Sequence, residues 1–419
     1  MSDTNRTELR YIVESATWGA TPAAAPIDIR YTGESIKQST NTVQSQEIRA
    51  DRNIADLIRV GINGDGDLNV ELSCPGNSGF WFDFLRGALM SAAWSATTTP
   101  TLGTELVVSG ASGQIATLTR QAGDWGADLG VTPPITTFSG RFVKLAGFSG
   151  AATGNNQIVK ILTVASATVC TALFTGTAPV NTSGSDDAGV TQTIGSYIRN
   201  GIAVPTPSAS SNNCFTLEKK FQDLTTEYEY SKGAMVDRFS LNVAADQIAT
   251  GSFGMLSKSV ASNNTFIGST DTPVAVSTAP VYSGVDNVQA VIENNATVIT
   301  LTALTAQIQN NLRARLEIGT LGATSIGSGS VNATGTIAAY YSDASTATMD
   351  RYLNGTASAL CVVFKDTTPN YWVVDFPRIK YTSGQRVAGG INSDVMLEMA
   401  FQALYGSATE NYTVSFTKF

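Results

Sequence analysis

The chain has 419 residues, of which 42% are hydrophobic and only 14% charged, and 34 acidic against 26 basic side chains give a net charge of −8. An acidic chain of this kind is not expected to grip a phosphate backbone, and the complete absence of histidine excludes Ser-His-Asp and Cys-His catalysis together with the commonest metal ligand. The length predicts two or three domains with their own cores, and the many small and hydroxylated residues favour strands and turns over solvated helices.

The four cysteines, at positions 74, 170, 214 and 361, have no CxxC spacing. This predicts buried thiols rather than a zinc site or a disulfide-rich scaffold. The N-terminal residues lack a basic region followed by an apolar run, and no later stretch is long and apolar enough for a membrane span. We therefore expect no membrane insertion, no cofactor, and a chain that is made and folded in a cytoplasm.

The clearest strand in the N-terminal part has apolar residues at Leu68, Val70 and Leu72 that alternate with Asn69 and Glu71. This period of two is typical of a strand with one buried face.

A charged arm, Glu47–Arg59, precedes that strand, and it combines charges of both signs with regularly placed Ile and Leu. An extended hairpin is the preferred interpretation, with a short helix as the alternative. The apolar side chains could bury and the arginines could pair with carboxylates across a subunit interface, although a solvated hairpin with internal salt bridges is the competing interpretation. The candidate interface residues are Glu47, Ile48, Arg49, Asp51, Arg52, Ile54, Asp56, Leu57, Ile58 and Arg59.

The aromatic-rich segment Phe80–Met90 carries charges only at Asp83 and Arg86, as expected of a short helix packed on a sheet. Core packing is predicted for Trp81, Phe84 and Leu85.

Residues 96–213 are rich in Thr, Ser, Gly and Ala, with strand-like runs at Phe142–Leu145 and Ile158–Leu162. They predict a small β domain inserted into the first one. Alternating strands from Phe215 to Met255 then complete the first sheet, and a Ser/Asn/Thr/Pro-rich stretch, 259–280, is a predicted linker.

The second half appears in the sequence as a repeat of the first. Its predicted elements follow the same order: a strand at 336–341 answers 67–72, a helix at 347–353 answers the aromatic helix, and strands at 360–364, 371–376 and 395–401 answer 215–221, 227–230 and 251–255. Core packing in the second helix is predicted for Met349, Tyr352 and Leu353.

A Gly-rich segment, 318–330, lacks the lysine of a phosphate-binding loop. We interpret it as a loop equivalent to the charged arm and ordered on assembly. Its candidate interface residues are Ile318, Leu321 and Ile326.

The opening of the chain resembles that of a known family in four short motifs, and the ending does so from Phe376–Tyr381 to Met399–Leu404. The opening motifs are Asn5–Leu9, Ser15–Pro22, Arg30–Ser35 and Ser45–Arg52. The family is that of the major tail tube proteins of bacteriophages with long, non-contractile tails.

The resemblance implies a mainly β chain with two tandem tail-tube domains of the β-sandwich or barrel-forming type, each with a short flanking helix, plus the inserted β domain. The expected division is 1–95 with 214–258 for the first tube domain, 96–213 for the insertion, 259–280 for the linker and 281–419 for the second tube domain.

The resemblance also implies a non-enzymatic virion protein, made in the host bacterial cytoplasm, whose stacked rings form a hollow tube for DNA. A doubled subunit predicts trimeric, pseudo-sixfold rings, with hexameric rings as the alternative if the second half plays another role. Expected partners are further copies of the chain, a tape-measure protein in the lumen, and tail-tip and tail-completion proteins, while DNA passes without specific binding.

A competing interpretation is an extracellular carbohydrate- or receptor-binding β module of a virion, which the inserted domain could support. An aromatic cluster would favour it, but Trp125 is the only Trp of that segment. A carboxylate-based glycosidase is disfavoured because no pair of acids stands out.

Overall fold

A computed structural model of the chain describes residues 3–14, 17–74, 76, 78–100, 105–134, 141–182, 189–200, 213–225, 227–295, 297–366, 370–406 and 411–419. Residues 15 and 16 of the opening motif and residues 201–212 of the expected insertion lie outside this description.

The N-terminal part forms a set of strands followed by one helix. They are β1 (Thr7–Glu14), β2 (Ile27–Asp28), β3 (Gly33–Glu34), β4 (Lys37–Gln44), β5 (Leu57–Glu71) and α1 (Phe80–Ala88). β4 and β5 pair as a long antiparallel hairpin in which Gln44 lies opposite Leu57. The hairpin predicted for the charged arm is therefore confirmed, with residues 45–56 at its tip.

The next segment folds into a separate six-stranded antiparallel sheet with its own core. Its elements are β6 (Leu106–Ser112), β7 (Ile115–Arg120), α2 (Trp125–Leu129), β8 (Phe142–Ala146), β9 (Ile158–Val164), β10 (Val169–Phe174) and β11 (Thr191–Ile194). The side chain of Asp124 caps α2 by accepting hydrogen bonds from the backbone N–H groups of Gly126 and Ala127. β12 (Ser196–Arg199) then leaves this sheet.

The chain returns to its first sheet through four strands. They are β13 (Cys214–Phe221), β14 (Tyr228–Ala244), β15 (Thr250–Ser257) and β16 (Ser259–Asn263). β13 pairs with both β1 and β14, and β15 pairs with β14 and β5.

The C-terminal part contains the remaining elements. They are β17 (Val288–Glu293), β18 (Thr297–Val298), β19 (Ala303–Gln309), β20 (Arg313–Leu316), β21 (Ala323–Gly327), β22 (Asn332–Tyr340), α3 (Asp343–Leu353), β23 (Ser358–Lys365), β24 (Tyr371–Ala388), β25 (Val395–Ala403) and β26 (Ser415–Lys418).

The two halves share one topology. Strand neighbours run β1-β13-β14-β15-β5-β4 in the first half and β17-β23-β24-β25-β22-β19 in the second. Even the register shifts correspond, because β13 is irregular between Phe215 and Leu217 where β23 is irregular between Ser358 and Leu360. The predicted repeat is therefore present in the fold.

One hydrophobic core runs through both halves beneath the helices. Trp81, Phe84 and Leu85 of α1 are buried in it, and the Trp81 ring centroid lies 6.1 Å from that of Trp372 in the second half. In α3, Met349 is buried and Tyr352 is half-buried against the same core. The prediction of core packing is wrong for Leu353, which is 64% exposed because it is the last residue of the helix.

The six-stranded sheet packs against the second half. Phe142, Ile158 and Leu173 form a shared apolar cluster with strands β17, β23 and β24. Inside this contact, the buried ammonium of Lys160 lies 2.6 Å from a carboxylate oxygen of Asp375. β12 extends the contact by pairing with β26.

The four cysteines form no disulfide with one another, and they are buried at positions 170, 214 and 361 and half-buried at 74. None of the helices in the described ranges has the length and hydrophobicity that a bilayer-spanning helix needs.

Candidate assembly interface

The two halves are joined edge to edge in a single sheet. β14 of the first half pairs with β19 of the second, from Arg238 opposite Gln309 to Ala244 opposite Ala303. The resulting strand order is β4-β5-β15-β14-β19-β22-β25-β24. Each half therefore contributes four consecutive strands to one continuous surface.

One face of this sheet packs on the hydrophobic core. Because side chains alternate along a strand, the face is made by every second residue, and these are buried and mostly apolar. They include Leu68, Val70, Phe253, Phe239, Leu241, Leu304, Ile308, Ile337, Leu397, Met399 and Phe401.

The opposite face is polar, and we call it the polar face. It is defined by the alternate residues Asn69, Ser252, Ser240, Asn242, Thr305, Gln307, Thr334, Thr336, Gln402, Ser383 and Gln385, which lie opposite one another across the strand pairs. Its side chains hydrogen-bond to each other, as in the 2.6 Å contact between the hydroxyls of Thr305 and Thr336 and the 2.7 Å contact from Gln385 to Glu398.

Charges on the polar face are sparse and nearly balanced. Arg238 pairs with Asp67 at 2.7 Å. The strand registers place further acidic residues at Asp65, Glu71 and Glu398 and further basic ones at Lys37 and Lys380. This face therefore lacks the concentrated positive charge that holds phosphate groups.

The sheet ends in two strand edges for which the described residues supply no neighbour. One is the outer edge of β4, whose other side pairs with β5. The second is the outer edge of β24 from Lys380 to Ala388, since β23 covers that side of β24 only as far as Ile379. Unpaired edges of this kind are templates for pairing with another chain.

The arm tip exposes apolar residues. Ile48 is 98% exposed, and Ile54, Leu57 and Ile58 are also exposed. Within the tip, the Arg49 guanidinium lies 2.8 Å from Asp51 and holds the pKa of that carboxyl well below its usual range. An internal salt bridge, which the sequence left open for this arm, is thus present beside the exposed apolar groups.

The Gly-rich loop of the second half contains the β20–β21 hairpin, whose turn exposes Ile318 and Leu321. This hairpin connects β19 to β22 as the arm connects β4 to β5, so both connections leave the same end of the sheet. Ile326 differs from its prediction as an interface residue, because β21 folds back and buries it in a cluster with Trp18 and Met90.

Three places that the structure brings forward are not among the candidate interface residues predicted from the sequence. These are the outer edge of β24, the outer edge of β4, and the loop 389–394 at the opposite end of the sheet, where Ile391 is 96% exposed. The pair Gly389-Gly390 signals a turn there, but the free edges become visible only once the pairing of every strand is known.

A family model described as phage tail tube protein matches residues 4–171 and, a second time, residues 164–403. The chain belongs to the phage tail tube protein family. The double match agrees with the duplicated topology, so the fold is mainly β with tandem tail-tube domains. Members of this family are structural components of the virion that build a tube, and the family is not a family of enzymes.

Among solved structures, the chain is similar to the SPP1 tail tube, determined as a hybrid of solid-state NMR and cryo-EM. The identity is 16% over 40% of this chain and 72% of that chain, with a TM-score of 0.19. No curated protein matched the chain. The family assignment rests on the two matched segments.

Proposed function

We propose that this tail tube family member is a non-enzymatic subunit of a long, non-contractile phage tail, whose copies form stacked rings around a channel for DNA. One observation carries the proposal. The two halves of the chain are already joined edge to edge into a single sheet, and the described strands leave an open edge at each end of that sheet.

A sheet with two open edges can close on itself only through further copies. Each copy adds two four-stranded units, so three copies would complete a pseudo-sixfold ring of six units, and hexameric rings are the alternative. If about 24 strands close at the usual spacing of about 4.8 Å, the barrel circumference is roughly 115 Å before strand tilt widens it. Such a channel admits a DNA duplex.

The polar face is the proposed channel lining. Its opposite face is occupied by the core, which leaves this surface of uncharged amides and hydroxyls to face the lumen. The few charges nearly balance, so DNA meets no dense array of cations that would condense it onto the wall. A tape-measure protein during assembly and DNA during ejection are the proposed occupants.

Stacking of rings is assigned to the loops at the two ends of the sheet. The arm tip and the β20–β21 turn expose Ile48, Ile54 and Ile318 at one end, and the 389–394 loop exposes Ile391 at the other. Exposed isoleucines are unfavourable in a free monomer and can be buried in a neighbouring ring.

The domain division stays a proposal supported by strand pairing. Segment 214–258 pairs with the N-terminal strands, which favours the grouping of 1–95 with 214–258. The segment 96–213 holds the separate six-stranded sheet, and its proposed place is the outside of the tube, where additions are tolerated best. Synthesis in the host cytoplasm and contacts with tail-tip and tail-completion proteins belong to the same proposal.

Negative-stain electron microscopy of the purified full chain over a concentration series tests the proposal. We expect rings or tubes with a central channel that lengthen as the protein concentration rises. Monomers that stay dispersed at every concentration and bind glycans would instead establish the receptor-binding module.

A further inference from the structure

We propose that the outer edge of β24 pairs, in antiparallel orientation, with the segment Gly33–Gln44 of the next copy in the ring, which contains β3 and β4. Ser383 would lie directly opposite Ser39 of that copy. This inference rests on the proposed function and assigns the residues of its lateral contact. The β14–β19 joint inside the chain is the template from which the register follows.

β14 and β24 are equivalent strands that carry a bulge at the same place. Against β15, β14 shifts register between Val236 and Arg238. Against β25, β24 shifts register between Tyr381 and Ser383. Aligning the two bulges makes Arg238 equivalent to Ser383.

The alignment can be carried across the sheet. Two strands away from Arg238, through its partner on β15, lies Asp67 of β5. Two strands away from Ser383, through its partner on β25, lies Thr336 of β22. Asp67 and Thr336 are therefore equivalent, and β5 and β22 are in register with each other.

The same step aligns the two strands that start each unit. Asn63 and Asn332 lie four residues before Asp67 and Thr336, so they are equivalent as well. Ser39 of β4 lies opposite Asn63, and Gln309 of β19 lies opposite Asn332. Ser39 of the first unit is thus the counterpart of Gln309 of the second.

The internal joint then fixes the external one. Inside the chain, Arg238 lies opposite Gln309, so their counterparts Ser383 and Ser39 are expected to lie opposite each other between copies. Further along the same register, Gln385 faces Lys37, and Arg386 faces Ile36. The β14 side that receives β19 is the same side of β24 that no described strand covers beyond Ile379.

The joint inside the chain and the proposed joint between copies differ in the side chains on their core side. On the core side of β14, the internal joint buries Phe239, Leu241 and Val243. The equivalent positions on β24 are Gly384, Arg386 and Ala388. Arg386 stacks over the Tyr341 ring at 4.8 Å, so the open edge presents no large apolar patch while the chain is a monomer. Backbone hydrogen bonds would supply most of the lateral contact, as in other cases of strand addition.

Disulfide trapping in the full-length chain tests the register. The double variant Ser39→Cys with Ser383→Cys places two nearly isosteric thiols directly opposite each other, within the distance that a disulfide spans. The matched control, Ser35→Cys with Ser383→Cys, moves one thiol four residues along the chain, to the connection between β3 and β4. The native cysteines are present in both variants. Tubes are oxidised and then run on a non-reducing denaturing gel.

We expect the first variant to become a covalent closed ring, with loss of the monomer band, and the control to stay monomeric. The pair Gln385→Cys with Lys37→Cys gives a second reading of the same register if Ser39→Cys impairs folding. Tubes that form normally without a cross-link, or that cross-link equally in the control, would overturn the register while the tube function stands. If the wild-type chain forms neither rings nor tubes, the proposed function itself fails.

Discussion

Each half of the molecule has a buried carboxylate at its helix that is surrounded in the same way. In the first half, Tyr11 donates its hydroxyl to Asp83 at 2.7 Å, and Arg86 lies 2.9 Å from the same carboxylate. In the second half, Tyr381 donates to Glu293 at 2.9 Å, and Arg351 lies 2.8 Å away.

The chemistry is repeated although the positions are exchanged. The acid stands on the helix in the first half and on β17 in the second, while both arginines lie in the last turn of their helix. There a cation also complements the helix dipole. A buried charge must be paired, and this requirement is met by residues at different positions in the two halves.

Lys418 is the buried cation with the clearest consequence for stability. Its amino group donates to the carbonyl of Gly76 and lies 4.5 Å from the centre of the Phe82 ring and 5.0 Å from that of Trp94. Burial lowers its pKa from 10.5 to about 8. Between these values this lysine binds more protons in the unfolded chain than in the folded chain, so its own contribution to the free energy of unfolding is expected to rise with pH from about 8 to about 10.

Other buried groups act in the opposite direction, starting near pH 9, the usual pKa of cysteine, and continuing above pH 10, the usual pKa of tyrosine. Burial raises the pKa of Cys170 and Cys361 and that of Tyr11, Tyr282 and Tyr381. These groups ionise more readily in the unfolded chain, so their contribution to stability falls as the pH rises. Urea denaturation over this pH range measures the free energy of unfolding, to which both kinds of group contribute. The variant Lys418→Met is expected to lack the rise that Lys418 contributes, so the difference in the free energy of unfolding between wild type and variant should grow with pH from about 8 to about 10. Parallel profiles for the variant and the wild type would show that Lys418 is not the cause.

At the scale of elements, the helices bind the sheet through a few aromatic residues. Phe84 of α1 is fully buried, with its ring centroid 4.7 Å from that of Phe215 and 5.0 Å from that of Tyr11. Phe84→Ala is expected to lower the free energy of unfolding by about 3–5 kcal/mol. Leu353→Ala, at the exposed end of α3, should change it by less than about 0.5 kcal/mol. Denaturant titration compares the two, and equal losses would contradict this view of the helices.

The sequence predicted those elements whose signal is local. Alternation at Leu68, Val70 and Leu72 marked the buried face of β5, and the aromatic run marked α1. The mixed charges of the arm fitted a hairpin whose tip keeps its ion pair in solvent. In each case the side chains that decide the structure lie within a few residues of one another.

Other features depend on contacts that no local pattern contains. A period of two shows which side chains of a strand are buried, but not which strand lies beside it, so the β14–β19 joint was invisible. The burial of Ile326 depends on Trp18, far away in the chain, and the exposure of Leu353 depends on where α3 ends. The outer edge of β24 can be recognised as unpaired only when the pairing of every described strand is known.

At the scale of the whole molecule, the duplication means that one chain already contains two neighbouring units of the proposed ring and the joint between them. The β14–β19 joint is formed within the chain and buries apolar side chains, so it forms with folding. The joints between copies are predicted at strand edges with small and polar side chains, so they form only when several weak contacts act together. Lateral closure and axial stacking are therefore separable by mutation.

A variant of the arm tip is expected to impair axial stacking without impairing lateral closure. The double variant Ile48→Asp with Ile54→Asp changes two exposed side chains at the arm tip, so the melting temperature of the monomer should not move. Because burying a carboxylate against a neighbouring ring is costly, we expect single rings or short stacks where the wild type forms long tubes, with the Ser39–Ser383 cross-link retained within each ring. Electron microscopy and thermal denaturation measure the two effects.

A matched control is Val180→Asp, an exposed apolar residue of the inserted segment that is not part of either sheet end. This variant should form tubes of wild-type length, because the insertion is proposed to lie outside the tube wall. Arm-tip variants with tubes as long as those of the wild type at equal protein concentration would remove the arm from the stacking contact. A lower melting temperature would instead assign these isoleucines to the fold of the monomer, since exposed side chains that contact only solvent have no native packing to lose.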